Sequence, residues 1–253
     1  MFSLMGDKVN NNRELDFLRK LSGDDKMRYV FIFFYGSILY FIAQTMKAKG
    51  LMKPKTIAFS GNGARTLRIL SDDNETLAKF AKLIFDGVYG DTTGRISVMM
   101  ERNPKIATCK GGLEKPEAQL YDEIDEIKAV FVGDTFTDSR PIPTYADISE
   151  DMKKDVVKSL TDFFSFIFQM HKTNNDFFVK QLGADATIFN QIRDYCLGEE
   201  GLQELESSLA QGLRNKREVD KVNDETLLEE TLFFYPMVGM LHELAYKIYQ
   251  MKN

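Results

Sequence analysis

Tryptophan is absent from this chain, and histidine and cysteine occur only twice each. Each scarcity excludes something. With His171 and His242 alone, a histidine-rich metal site is impossible and a histidine general base has few candidates. Cys109 and Cys196 lie far apart and form no metal-ligand spacing. Two lone cysteines suit a reducing compartment, so a cytoplasmic location is expected. Positive charge is not in excess: the formal net charge is -5, which argues against nucleic acid as the main partner. The first residues, Met1 to Lys26, lack the charged-then-apolar order of a secretory signal. No internal repeat and no low-complexity tract is present.

What the chain has is phenylalanine, 20 residues of it among 253, which supplies ample aromatic material for a core. The longest apolar run is Tyr29 to Met46 (YVFIFFYGSILYFIAQTM), and about 18 residues is the lower limit for crossing a bilayer. Gly36, Ser37, Gln44 and Thr45 dilute it, so it reads as a buried core helix and no membrane partner is expected.

Residues 1–25 read as an N-terminal arm. A helix is expected from Asp25 to Ala48, ended by Gly50 with Pro54 beyond. Thr56 to Ser60 (TIAFS) reads as a buried strand, followed by Gly61-Asn62-Gly63 and a helix over Ala64 to Leu70. Leu77, Phe80, Ala81, Ile84 and Val88 mark the apolar face of a further helix over Asn74 to Val88. Arg95 to Glu101 and Ala129 to Val132 are strand candidates, and Ser149 to Lys172 is a long helix. Gln203 to Asp220 is charged and solvated, and Glu225 to Met251 closes the chain as a helix containing Pro236.

The chemistry sits in one arrangement: apolar helix, strand, Gly-x-Gly turn, helix. Glycines there let backbone approach a ligand, and a helix start offers unpaired N–H groups to an anion. Without a ligand the same turn is a tight strand-to-helix connection. A second glycine-bearing segment follows at Pro104 to Leu113, which contains Ala107-Thr108-Cys109-Lys110-Gly111-Gly112.

The pair of motifs, Phe59 to Arg65 and Pro104 to Leu113, resembles the adenosine-binding sequences of the actin-like ATPase superfamily. That superfamily includes heat-shock chaperone ATPases, bacterial actins and sugar kinases. The resemblance spans about residues 28–115. It implies an α/β fold: a ribonuclease-H-like mixed sheet with packed helices over 26–172, then a helical extension over 173–253. It also implies that Ser60, Gly61, Asn62, Gly63 and Ala64 bring backbone against ATP or ADP, and that Arg65 stacks on adenine. Read without the family, Arg65 is a solvated arginine at a helix start. Lys110 and Gly111 would close the motif by helix packing. Asn62 stands at a usual glycine position, and Ala64 lacks the hydroxyl some relatives carry.

The Asp-x-Gly hairpins that grip phosphates and position a metal in such enzymes are missing. Phosphoryl transfer depends on those contacts. No catalytic or metal-ligating residue is therefore assigned. ATP hydrolysis is expected only if an upstream lobe, and magnesium with it, completes the domain. The expected partner is that upstream lobe or another protein, with self-association through the uncovered face near Ser60 to Arg65 and Lys110 to Leu113. The second reading is a noncatalytic scaffold that binds a protein through its Phe-rich helices.

Overall fold

The computed structural model describes residues 25–60, 62–100, 144–219, 221–226 and 231–251. Helix α1 covers Asp25–Ala48 and ends at Gly50, whose φ of 67° is the left-handed conformation a glycine adopts without strain. Strand β1 is Thr56–Phe59. A 3₁₀ helix over Asn62–Ile69 follows, then α2 over Asn74–Tyr89. The Asp73 carboxylate caps α2, accepting from the Glu75 and Thr76 amides at 3.1 and 2.9 Å. Gly90 closes α2 at φ 69°, and strand β2 is Ser97–Met100.

The remaining described elements are helical. A 3₁₀ turn at Tyr145–Asp147 leads into α3, Glu150–Thr173, capped by Ser149. Helices α4 (Asn175–Lys180), α5 (Ala186–Cys196), α6 (Glu199–Val219) and α7 (Phe234–Gln250) complete the order. Helix α7 starts at Phe234, not Glu225, which puts Pro236 in the first turn. There its missing N–H has no intrahelical partner to lose.

The expectation of a ribonuclease-H-like mixed sheet is not met. Of the described residues 73% are helical and 5% are in strands, and the sheet consists of β1 and β2. The reason lies in the spacing of apolar residues. From Glu150 onward they recur at helical intervals, as in Val156, Leu160, Phe163, Phe164 and Ile167, all buried on one face of α3. Among the described residues no alternating run is punctuated by a hairpin turn, so no antiparallel strand is added. The strand expected at Ala129 to Val132 lies outside the described residues.

The two strands pair in parallel, Thr56 opposite Ser97 through Phe59 opposite Met100, with α2 as the crossover. Ile57 and Val98 turn toward the helices, while Thr56, Ala58, Ser97 and Met99 are exposed. One core cluster runs from Tyr29 to Ile248 and joins α1, α2, α3, α5 and α7. Phe33 sits at its centre, its ring 5.7, 5.6 and 5.5 Å from those of Phe164, Phe168 and Phe189. Burying each such side chain contributes about 1.5–3 kcal/mol.

By length and composition α1 is apolar enough to cross a membrane. In the fold, Tyr29, Ile32, Phe33, Tyr35, Leu39 and Ala43 of α1 are buried in this core. Phe34 and Ile42, by contrast, are exposed.

Candidate functional site

Parallel strands joined by a helix point their carboxy-terminal ends the same way, and ligands of open α/β units gather at that edge. Here the edge is level, because Phe59 ends β1 opposite Met100 at the end of β2. Ser60 follows β1 at this edge, and the 3₁₀ helix begins at Asn62.

The 3₁₀ helix is fixed from behind. Leu67, Ile69 and Leu70 are buried. Thr66 Oγ1 and the Tyr35 hydroxyl of α1 share a hydrogen bond of 2.5 Å. Burial raises the Tyr35 hydroxyl above its ordinary pKa, opposed in part by Thr66, so the phenol stays protonated and the tie persists at neutral pH. The Tyr35 ring also meets Phe59 edge to face at 6.2 Å, which joins α1 to the end of β1. Arg68 donates to the Asp72 carbonyl and closes the far end of the turn.

The front is open. Ser60 and Arg65 are exposed and Ala64 is half-buried. Among the described residues no carboxylate pairs with Arg65. Asn62 and Gly63 form the first residues of the 3₁₀ helix. Gly61, Lys110 and Gly111 lie outside the described residues, as does all of Pro104 to Leu113. The structure therefore brings Ser60, Asn62, Gly63, Ala64 and Arg65 together at the strand edge. The helix expected over Ala64 to Leu70 is a 3₁₀ helix over Asn62–Ile69. The tighter coil keeps the same direction and the same exposed start.

The opposite edge of the two strands carries a feature that the sequence reading missed. Lys53, just before β1, donates to the Asp86 carboxylate of α2 at 2.9 Å and to the Asp91 and Thr93 carbonyls at 2.5 and 2.7 Å. Lys82 also pairs with Asp86 and donates to the Thr92 carbonyl at 2.8 Å. Two ammonium groups thus clamp the loop that enters β2 onto the end of α2. This cluster is satisfied internally and ties the start of β1 to the end of α2 and to the loop that enters β2.

The groups present suit part of a nucleotide. An uncommitted guanidinium, a serine hydroxyl and a helix start facing the edge can hold an adenosine or a phosphate. They do not suit a resident metal. Among the described residues no cluster of His, Cys, Asp and Glu able to hold a cation occurs. Asp73 is consumed in capping α2, and its pKa is lowered chiefly by the Thr76 hydroxyl. Cys196 is buried without a disulfide, and burial pushes its thiol far up, so it is no nucleophile. The acidic segment Tyr121 to Glu126, together with Asp134 and Asp138, lies outside the described residues.

No family model, curated protein or solved structure matches this chain. Any assignment of function therefore rests on the geometry of the strand edge and on the two motifs.

Proposed function

We propose that the chain binds an adenine nucleotide at the segment Ser60 to Arg65. It does not hydrolyse ATP alone. The observation that carries this reading is the position of the glycine-bearing turn. It lies at the carboxy-terminal edge of a parallel strand pair, where α/β units take their ligands, with Arg65 exposed beside it.

Among the described residues the strand pair keeps an uncovered face, which favours a further covering element. Parallel sheets are normally covered on both faces, and two strands rarely stand alone. Among the described residues, Thr56, Ala58, Ser97 and Met99 face outward uncovered. A lobe that adds sheet or helix there would also bring the phosphate and metal contacts that the described residues lack.

Calorimetry with ADP tests this. Wild type is expected to bind, and Gly63→Val is expected to lose at least tenfold in affinity. A branched side chain there would stand where the ligand needs backbone. Equal affinities in two folded proteins would remove the turn from the site. A phosphate-release assay with magnesium is expected to give no steady turnover. Robust turnover lost on Arg65→Ala would show that the chain is a complete enzyme.

The alternative, a noncatalytic scaffold, is favoured by one observation. Val238, His242, Tyr246 and Tyr249 recur at helical spacing along the exposed face of α7. If no nucleotide binds, that face becomes the leading candidate for contact with a protein.

A further inference from the structure

A second concave site lies between α3 and α5, away from any motif the sequence displays. Its volume is about 600 Å³. Phe168 and Phe189 supply an apolar floor, and Lys172, Asn190 and Arg193 stand along its exposed rim. No carboxylate is among the side chains that line it.

His171 makes this more than a crease between helices. It is 6% exposed, lines the cavity, and stacks flat on Phe189 with ring centroids 4.1 Å apart and planes within 6°. Burial lowers its pKa, opposed by a hydrogen bond to the Ala184 backbone that favours the protonated ring. The ring is therefore neutral at pH 7, with its single N–H directed to Ala184. That leaves Nε2 a bare acceptor, and it is buried with no hydrogen-bond partner. A buried acceptor of this kind destabilises the fold unless a donor reaches it.

The rim carries two cations, Lys172 and an Arg193 that shares its charge with Asp194. Arg193 donates to Asp194 Oδ1 at 3.0 and 2.8 Å and to Asn190 Oδ1 at 3.1 Å, which fixes the guanidinium plane. Among the described residues Lys172, one turn-end away on α3, pairs with no carboxylate. An apolar floor, an unmet acceptor at depth and cations at the mouth define a complementary ligand.

We propose that this cavity binds a small organic anion. Its apolar body lies on Phe168 and Phe189, its hydroxyl or amine donates to His171 Nε2, and its carboxylate meets Lys172 and Arg193. The site is independent of the nucleotide reading, because it shares no residue with the turn at Ser60 to Arg65.

The probe is 4-hydroxyphenylacetate, followed by ligand-observed saturation-transfer NMR and calorimetry on the full chain. Two comparators each lack one element: phenylacetate has no donor, and 2-(4-hydroxyphenyl)ethanol has no charge. The expected result is saturable binding of the probe and at least fivefold weaker binding of each comparator. Lys172→Gln changes an exposed side chain and leaves the fold intact. It is expected to weaken the probe at least fivefold while leaving 2-(4-hydroxyphenyl)ethanol unchanged. His171→Gln should abolish the preference for the probe over phenylacetate. Absence of saturation overturns the proposal and leaves Nε2 to a fixed water. So do affinities within twofold across the three compounds, or a Lys172→Gln variant that binds the probe as wild type does.

Discussion

Removing the Asp86 carboxylate should loosen the strand pair and lower the stability of the whole core. The Asp86 side chain is 10% exposed and the Lys53 side chain 12%, so both charges are largely withdrawn from water. In Asp86→Ala the Lys53 ammonium keeps the Asp91 carboxylate at 3.2 Å, which is 47% exposed, and its two carbonyls. Breaking a buried pair on one side costs about 3–5 kcal/mol. Because these partners remain, about 2 kcal/mol is expected here. With a urea m-value of about 2–3 kcal/mol/M, the midpoint should fall by about 0.7–1 M. Far-UV circular dichroism reads this directly. Lys53→Met should cost a similar amount, and the double variant should cost less than the sum by about 1 kcal/mol or more. Changes below about 0.5 kcal/mol, or simple additivity, would refute the claim that these groups act as one clamp.

The same cluster predicts a pH dependence at both extremes. Burial pulls the Lys53 pKa down, but Asp86 and Asp91 together leave it raised above 10.5. Its contribution is therefore complete below 10.5 and is lost as pH rises through the folded-state value. The Thr93 hydroxyl and amide, with Lys53, lower Asp91 to about 2 from 3.8. That contribution is present above about 4 and fades as pH falls toward 2, and denaturation followed at both ends checks each arm. Gly201 of α6 leaves no room for a side chain, since a Cβ there would stand 2.3 Å from the Tyr195 carbonyl and 2.8 Å from that of Cys196. Gly201→Ala should cost about 1–3 kcal/mol by thermal unfolding, and an unchanged Tm would contradict the packing of α5 against α6. Phe33→Ala, at a fully buried ring, should cost about 3–5 kcal/mol in the same assay. Expression without detergent should yield soluble protein, because the main face of α1 is spent on the core; recovery solely with membranes would reverse that assignment.

Local signals carried the elements well. The apolar spacing of Leu77, Phe80, Ala81, Ile84 and Val88 marks the buried face of α2, and Gly50 marks the end of α1. Ser149 begins α3, and TIAFS supplies β1, though as a strand with Thr56 and Ala58 exposed and not the buried strand expected. What the spacing does not encode is how many strands assemble. A strand-turn-helix-strand unit is common to many α/β folds, so extending it to a full mixed sheet relied on the resemblance, and the helical majority overturned it. The start of α7 was misplaced because a proline near a helix start is compatible with more than one boundary.

The candidate turn was legible because glycines after an apolar strand leave a local trace. The clamp was not, since Lys53 and Asp86 are 33 residues apart and each is an ordinary charged residue in its own neighbourhood. His171 carries no local signal in the sequence. Its unmet nitrogen emerges only when α5 brings Phe189 against it.

The central claim is that an adenine nucleotide sits on the edge formed by the ends of β1 and β2. Backbone amide NMR on the labelled chain during an ADP titration tests it most directly. The account predicts saturable shifts at Ser60 to Thr66 and at Met100, with the α3–α5 cavity around His171 unmoved. No shifts at millimolar ADP, or shifts confined to α3 and α5, would contradict it.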